Sequence, residues 1–220
     1  MTKNIMDVSR YQGTIDWEKV KASGKVDGVM LKTVGKNRSL SDRKDGLYID
    51  PTFERNYNEC KRLGIPVGVY YYTYATTTAQ ADTELALLKS ALAGKSLELP
   101  VAVDVEENML KILKIQKLTD LVAHELATIE SWGVYAMLYT YLNFAETRLY
   151  MGGAALKPYD VWLAAYRKEK PKTDYSYGMW QYTSTGIIPG VNSNVDLSYA
   201  YKDYASIIQK KGLTRLREGA

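Results

Sequence analysis

Eight short β-rich runs, separated in the first two thirds of the chain by amphipathic stretches, constrain this sequence more than any other feature. The runs are NIMDVS, VDGVMLKTV, PVGVYYYTY, LPVAVDVE, VYAMLYTY, DVWLAAYR, GMWQYTS and NVDLSYA. Most of the early ones are near-continuously apolar, as expected of parallel strands covered on both faces. Between them, IDWEKVKASG, DPTFERNYNECKRLG, TTTAQADTELALLKSALAG and IQKLTDLVAHELATIESWG each carry a helical pattern closed by a glycine, the second opening on an N-cap-like Asp50 and Pro51. Strand and helix alternate four times, and the connections then shorten. This rhythm predicts a parallel sheet with helices outside. Eight strands in 220 residues predict an irregular TIM-like β/α barrel with fewer than eight helices. An open doubly wound sheet is the alternative, but neither GxGxxG nor GxxxxGK[ST] is present to give it a nucleotide. One domain over residues 1–220 is expected, with 201–220 as a closing helix and a polar, frayed tail.

The fourth strand candidate ends in acid. In LPVAVDVEEN, Asp104 and Glu106 are two residues apart, so on a strand they share a face, while Val103 and Val105 take the other. Buried carboxylates are costly unless paired or protonated. In a β/α barrel the C-terminal strand ends carry the chemistry. Asp7 ends the first strand and Asp196 lies in the last. Closure of the barrel would bring those two together and leave four carboxylates around one mouth. Like-charge repulsion and partial burial would keep one protonated, able to donate to a leaving oxygen while an ionised neighbour steadies an oxocarbenium-like centre. Solvated or salt-bridged structural acids, or a divalent-cation site, are the other readings of the same residues.

Composition narrows the classes. The chain has 19 Tyr and 4 Trp against 2 Phe. Flat faces with hydrogen-bonding tips suit a wet site for sugars, although a compositional bias would look the same. The net charge of +4 is spread along the chain without a Lys/Arg block, so no nucleic-acid partner is expected; the modest excess favours approach to an anionic polymer such as a bacterial wall. No run approaches the length of a membrane span, and no membrane insertion is expected. MTKNIMDVSRYQG lacks an apolar signal region. Action on the extracellular wall would then need phage-type release after cytoplasmic synthesis, or a leader already removed. The single His124 and single Cys60 do not supply the ligands of a zinc peptidase or the pair of a cysteine peptidase, and no GxSxG is present.

Taken in order, these segments resemble glycoside hydrolase family 25, the Chalaropsis-type lysozymes. MDVSRYQGTIDWEKVKASG is similar to the family opening, DPTFERNYNECKRLGIPVGVYYYTYA to its second block, PVAVDVE to its DxE strand, DVWLAAY to a later strand and MWQYTSTGIIPGVNSNVDLS to its closing block. The resemblance covers nearly the whole chain. It implies an N-acetylmuramidase that hydrolyses the β-1,4 bond from N-acetylmuramic acid to N-acetylglucosamine in bacterial peptidoglycan, without a cofactor; no metal site is expected, and a monomer is expected apart from the resemblance. It implies Glu106 as acid/base, and Asp104 as its partner, either assisting the substrate's acetamido group with retention or acting more directly. Asp7 and Asp196 would tune and position. Tyr70 and Tyr139 look like site tyrosines, and Lys32, Tyr166, Trp180 and Gln181 fall at sugar-subsite positions. The long second loop LKTVGKNRSLSDRKDGLYIDP, with Val34 where many relatives carry Glu, departs from the pattern. Another N-acetylhexosaminidase of chitinase-like mechanism, or a non-catalytic glycan-binding barrel, is the alternative.

Overall fold

A computed structural model describes residues 2–217. Eight strands close into a barrel: β1 (Lys3–Val8), β2 (Gly28–Lys32), β5 (Val67–Tyr72), β6 (Val101–Asp104), β7 (Ala136–Tyr141), β8 (Asp160–Ala164), β9 (Met179–Gly186) and β10 (Val195–Ala200). Their spatial order is β1-β10-β9-β8-β7-β6-β5-β2. All eight coincide with the predicted runs. From β1 through β2 and β5 to β9 the neighbours are parallel, but β10 lies antiparallel to both β9 and β1. The sheet is therefore mixed.

Six helices surround it: α1 (Trp17–Ala22), α2 (Phe53–Arg62), α3 (Thr78–Leu92), α4 (Ile115–Ser131), α5 (Leu142–Arg148) and α6 (Tyr204–Lys210). In α2 the buried stripe is Phe53, Asn56, Tyr57 and Cys60; in α4 it includes Leu118, Leu121, Val122, Glu125, Leu126 and Ile129. Both follow the three-and-four spacing of a helix laid on a sheet. The expected start of α2 shifts by two residues. Thr52 is the N-cap, and Asp50 instead accepts the Thr52 amide at 2.9 Å and its hydroxyl at 2.7 Å. No helix among the described residues is long and apolar enough to cross a membrane. The closing helix is α6; residues 218–220 of the expected tail lie outside the described residues.

Two elements were not anticipated. A hairpin, β3 (Val34–Lys36) with β4 (Leu47–Ile49), occupies the long second loop. The chain leaves the barrel at Thr33, whose amide still donates to Tyr70 O at 2.8 Å, and returns where the Asp50 amide donates to Thr33 O at 2.6 Å. The other is α5, immediately after β7.

Alternation along each strand sorts the side chains into two cores. Val101, Val103 and Val105 face the helices with Val67, Val69, Tyr71, Leu138 and Leu163. Ile5, Met30, Ala102, Met137, Tyr139, Trp162 and Met179 fill the barrel interior. The interior is tight at its lower end: a Cβ on Gly68 would lie 2.6 Å from both Leu99 Cβ and Met30 Sδ. Upward from this plug the same inward positions become polar.

Candidate active site

The inward parity of each strand delivers one polar row to the mouth. Asp7 follows Ile5 on β1 and Lys32 follows Met30 on β2. On β5 Tyr70 and Tyr72 share the face. Asp104 ends β6, paired with Tyr72 on one side and Tyr139 on the other. Strand assignment stops at Asp104, two residues earlier than expected, but the Val105 amide still donates to Tyr139 O at 2.9 Å, which carries the alternation on to Glu106. Asp196 stands near the start of β10, not at a strand's C-terminal end. Because β10 is antiparallel, that start opens at the same mouth, and Asp196 is the register partner of Asp7.

These residues line a cleft of about 380 Å³, together with Ser9, Tyr11, Gln12, Tyr74, Tyr141, Trp162, Tyr166 and Gln181, a size suited to small-ligand sites. All four predicted acids are in it. So are Tyr70, Tyr139, Lys32, Tyr166 and Gln181. Trp180 is not. Gln181 turns inward, so its neighbour on the strand turns outward: the Trp180 indole donates to Ala165 O at 2.8 Å and lies against Tyr182 and Tyr199 on the outer surface of β9–β10. Tyr71, beside the inward Tyr70, likewise faces the helices and donates to Glu125 at 2.9 Å.

Tyr72, Tyr74 and Tyr141 are cleft residues that the sequence reading missed. Tyr72 and Tyr74 pack ring on ring, centroids 4.7 Å apart. A period-two reading of YYYTY places Tyr70, Tyr72 and Tyr74 on one face, and the same step from Tyr139 reaches Tyr141.

One amide organises the acid side. Gln181 Nε2 donates to Asp7 Oδ2 at 3.0 Å, while Gln181 Oε1 accepts from Tyr139 at 2.9 Å and lies 3.1 Å from the Tyr166 hydroxyl. Tyr166 also lies 3.3 Å from Asp196 Oδ1 and 3.0 Å from the Tyr141 hydroxyl. On the other side, Lys32 is the one cation lining the cleft among the described residues, its ammonium 5.8 and 5.1 Å from the ring centroids of Tyr70 and Tyr72.

Burial raises all four carboxyls, and repulsion from neighbouring acids adds to it at Asp7, Asp104 and Glu106. Asp104 is held well above the usual carboxylate range by burial and then by Glu106, with Lys32 opposing. Asp7 is raised by burial and then by Asp196, against the Gln181 hydrogen bond. Asp196 is raised by burial and lowered by Tyr166. Burial pushes Glu106 up to about 7; Lys32 pulls it down, and Asp196 and Glu107 push it further up. Asp104 Oδ1 and Glu106 Oε2 are buried without a hydrogen-bond partner among the described residues. The site thus biases all four carboxyls toward their protonated forms, Glu106 near neutrality, with a single lysine opposing this at Asp104 and Glu106. No group of three or more His, Cys, Asp or Glu among the described residues is placed to hold a metal ion; the four acids stand around the rim and do not converge on a point.

Comparison with known proteins follows the same lines. The model of glycosyl hydrolases family 25 matches residues 6–191. The autolytic lysozyme of Clostridium acetobutylicum is 28% identical over 199 residues, covering 87% of this chain and 54% of that protein. The chain thus spans about half the length of this curated relative. Among solved structures, the modular autolysin LytC from Streptococcus pneumoniae has a TM-score of 0.76 at 29% identity, over 91% of this chain and 47% of LytC. The bacterial lysozyme from Streptomyces coelicolor matches in fold, with a TM-score of 0.77 at 24% identity over 96% of this chain and 98% of that one.

Proposed function

The chain belongs to glycosyl hydrolases family 25, and from that premise we propose that its barrel is one catalytic unit, an N-acetylmuramidase acting on bacterial peptidoglycan. The observation that carries the reading is the Asp104–Glu106 pair: two adjacent carboxyls in a tyrosine-walled cleft, one of them pushed up to about 7, each with a buried oxygen that has no hydrogen-bond partner among the described residues. A carboxyl with this value is half protonated near pH 7 and can both give and retake a proton, the property a glycosidase needs of its acid/base.

In this mechanism the muramic acid sugar sits over Asp104. Glu106 donates its proton to the glycosidic oxygen as the C1–O bond breaks and N-acetylglucosamine leaves. The acetamido oxygen of the muramic acid sugar attacks its own C1, and Asp104 takes up or balances the positive charge on the acetamido nitrogen. Water then attacks C1, breaks its bond to the acetamido oxygen and returns its proton to Glu106; the two displacements together give retention. Asp7 and Asp196, braced by Gln181 and Tyr166, keep the field negative where the oxocarbenium-like centre develops. Tyr70, Tyr139 and Lys32 flank the sugar.

Glu106→Gln tests it. An amide cannot donate the proton, so the folded variant should lose wall hydrolysis by about 10²–10⁴-fold. Asp104→Asn should be severely impaired as well. Digested walls reduced with borohydride should yield muramicitol; glucosaminitol would identify an N-acetylglucosaminidase, and new amino groups without new reducing ends an amidase or peptidase.

A further inference from the structure

A second hollow, of about 490 Å³, opens beside the cleft between the β3–β4 hairpin and the first turns of α3. Lys36, Arg38, Asp45, Tyr74, Gln80 and Glu84 are among its walls. Tyr74 also lines the cleft. The two hollows therefore share one aromatic wall, and a chain leaving the cleft past Tyr74 enters the second.

Its charges are sorted. Asp45 is occupied by Arg43, which approaches it through both Nε and Nη2, the latter at 2.6 Å. Lys36 and Arg38 are exposed, and neither forms an ion pair among the described residues. The Lys36 ammonium stands 5.9 Å from the Tyr74 ring centroid. The loop closes through the Asn37 amide on Gly46 O at 2.8 Å, with Gly46 at φ 77°. A Cβ there would lie 3.5 Å from Arg38 Cδ and 3.7 Å from Lys36 Cγ, so both stems run over this glycine side by side. The Glu84 carboxyl at the floor is hydrogen-bonded to the Tyr74 amide and Thr73; Lys36 lowers it without forming an ion pair with it. A neutral sugar gives no reason for two exposed cations without an ion pair next to its binding face; a carboxylate-bearing chain does.

We propose that this hollow binds the peptide stem of the substrate, with Lys36 and Arg38 holding its carboxylates and Tyr74 separating stem from glycan. The assignment rests on the muramidase reading, because the stem hangs from the lactyl group of every muramic acid and is the charged part of an otherwise uncharged glycan strand.

The test compares two substrates free of other wall polymers: glycan strands with their stems, and the same strands stripped by an amidase and then coupled to methylamine at the lactyl carboxylates that the amidase frees, so that the stripped strand carries no charge. The double variant Lys36→Ala/Arg38→Ala should raise KM about tenfold on stem-bearing strands, with kcat within about twofold, and should match the wild type on stripped strands. Lys25→Ala/Lys211→Ala removes the same charge from exposed positions elsewhere and should leave KM unchanged on both. Equal KM for wild type and variant on stem-bearing strands overturns the assignment. So does an equal rise on both substrates, or an equal rise from the control pair, which would mean general charge attraction. Wild-type protein that releases no reducing ends from either substrate overturns the muramidase reading itself, a result distinct from cleavage that ignores the stem.

Discussion

Gln181 and Asp7 are joined by one hydrogen bond of 3.0 Å across the barrel mouth, and that bond is what opposes burial and Asp196 in setting the Asp7 carboxyl. The same amide takes the Tyr139 hydroxyl, so it links a proposed tuning acid to a proposed sugar contact. Gln181→Met keeps shape and removes both functions. Asp7 should then hold its proton more firmly and Tyr139 should lose its acceptor. Wall hydrolysis is expected to fall about 10–100-fold, mostly in kcat, with a stability loss of about 1–3 kcal/mol from the stranded hydroxyl. Unchanged kcat would remove Asp7 from the mechanism.

The acid/base reading has a pH signature. Glu106 must be protonated to act, and it is held near 7, so kcat/KM should decline as pH rises through about 7. Lys32 is the group that lowers Glu106. Lys32→Met should therefore carry the alkaline limb to higher pH, whatever it does to the height of the profile. A limb that stays put would show that another group controls it.

Much of this was legible because parallel strands buried on both faces write themselves as apolar runs, and because an acid at the end of such a run has few places to go. Asp104, Glu106 and Asp7 follow from that alone. Asp196 was found although β10 runs the other way, since antiparallel pairing with β1 brings its first residues to the same mouth. The hairpin stayed hidden because Val34 prolongs the apolar run of β2 after the chain has left the barrel at Thr33. At seven residues, α5 is too short to display a helical period. Trp180 was misplaced because proximity to Gln181 in sequence stood in for parity, and on a strand adjacent residues face opposite ways.

That correction is itself testable. Trp180 is 4% exposed, with its indole bound to Ala165 O, so its role is to cover the outer face of β9–β10. Trp180→Phe should cost about 1–3 kcal/mol in chemical unfolding and leave kcat/KM on walls within about twofold. A large rise in KM with intact stability would return Trp180 to the sugar site.

Behind the cleft wall, Thr73 stands between two more buried acids. Its Oγ1 lies 2.9 Å from Glu84 Oε2 and 2.7 Å from Glu125 Oε1. A hydroxyl has one hydrogen, so it donates to one carboxyl and accepts from the other, and the pair must retain a proton. Burial pushes Glu125 up to about 8, with Glu84 adding and Thr73 and Tyr71 opposing. It pushes Glu84 up to about 7 against its hydrogen bonds from Thr73 and Tyr74, with Lys36 lowering and Asp45 raising it slightly. Folded values above the unfolded one mean that the native state binds more protons, so the stability due to this pair is present in full below about pH 4.5 and is lost as pH rises through 7 to 8. The loss should be on the order of 2–4 kcal/mol in urea unfolding between pH 5 and 9. In Glu84→Gln the amide NH₂ can donate to Thr73 while its oxygen keeps the Tyr74 amide, which reproduces the protonated state without a titrating proton. The variant should match the wild type near pH 5, exceed it near pH 9 and show a shallower slope between. Parallel slopes would mean that the proton resides elsewhere and that Thr73 does not bridge the two acids.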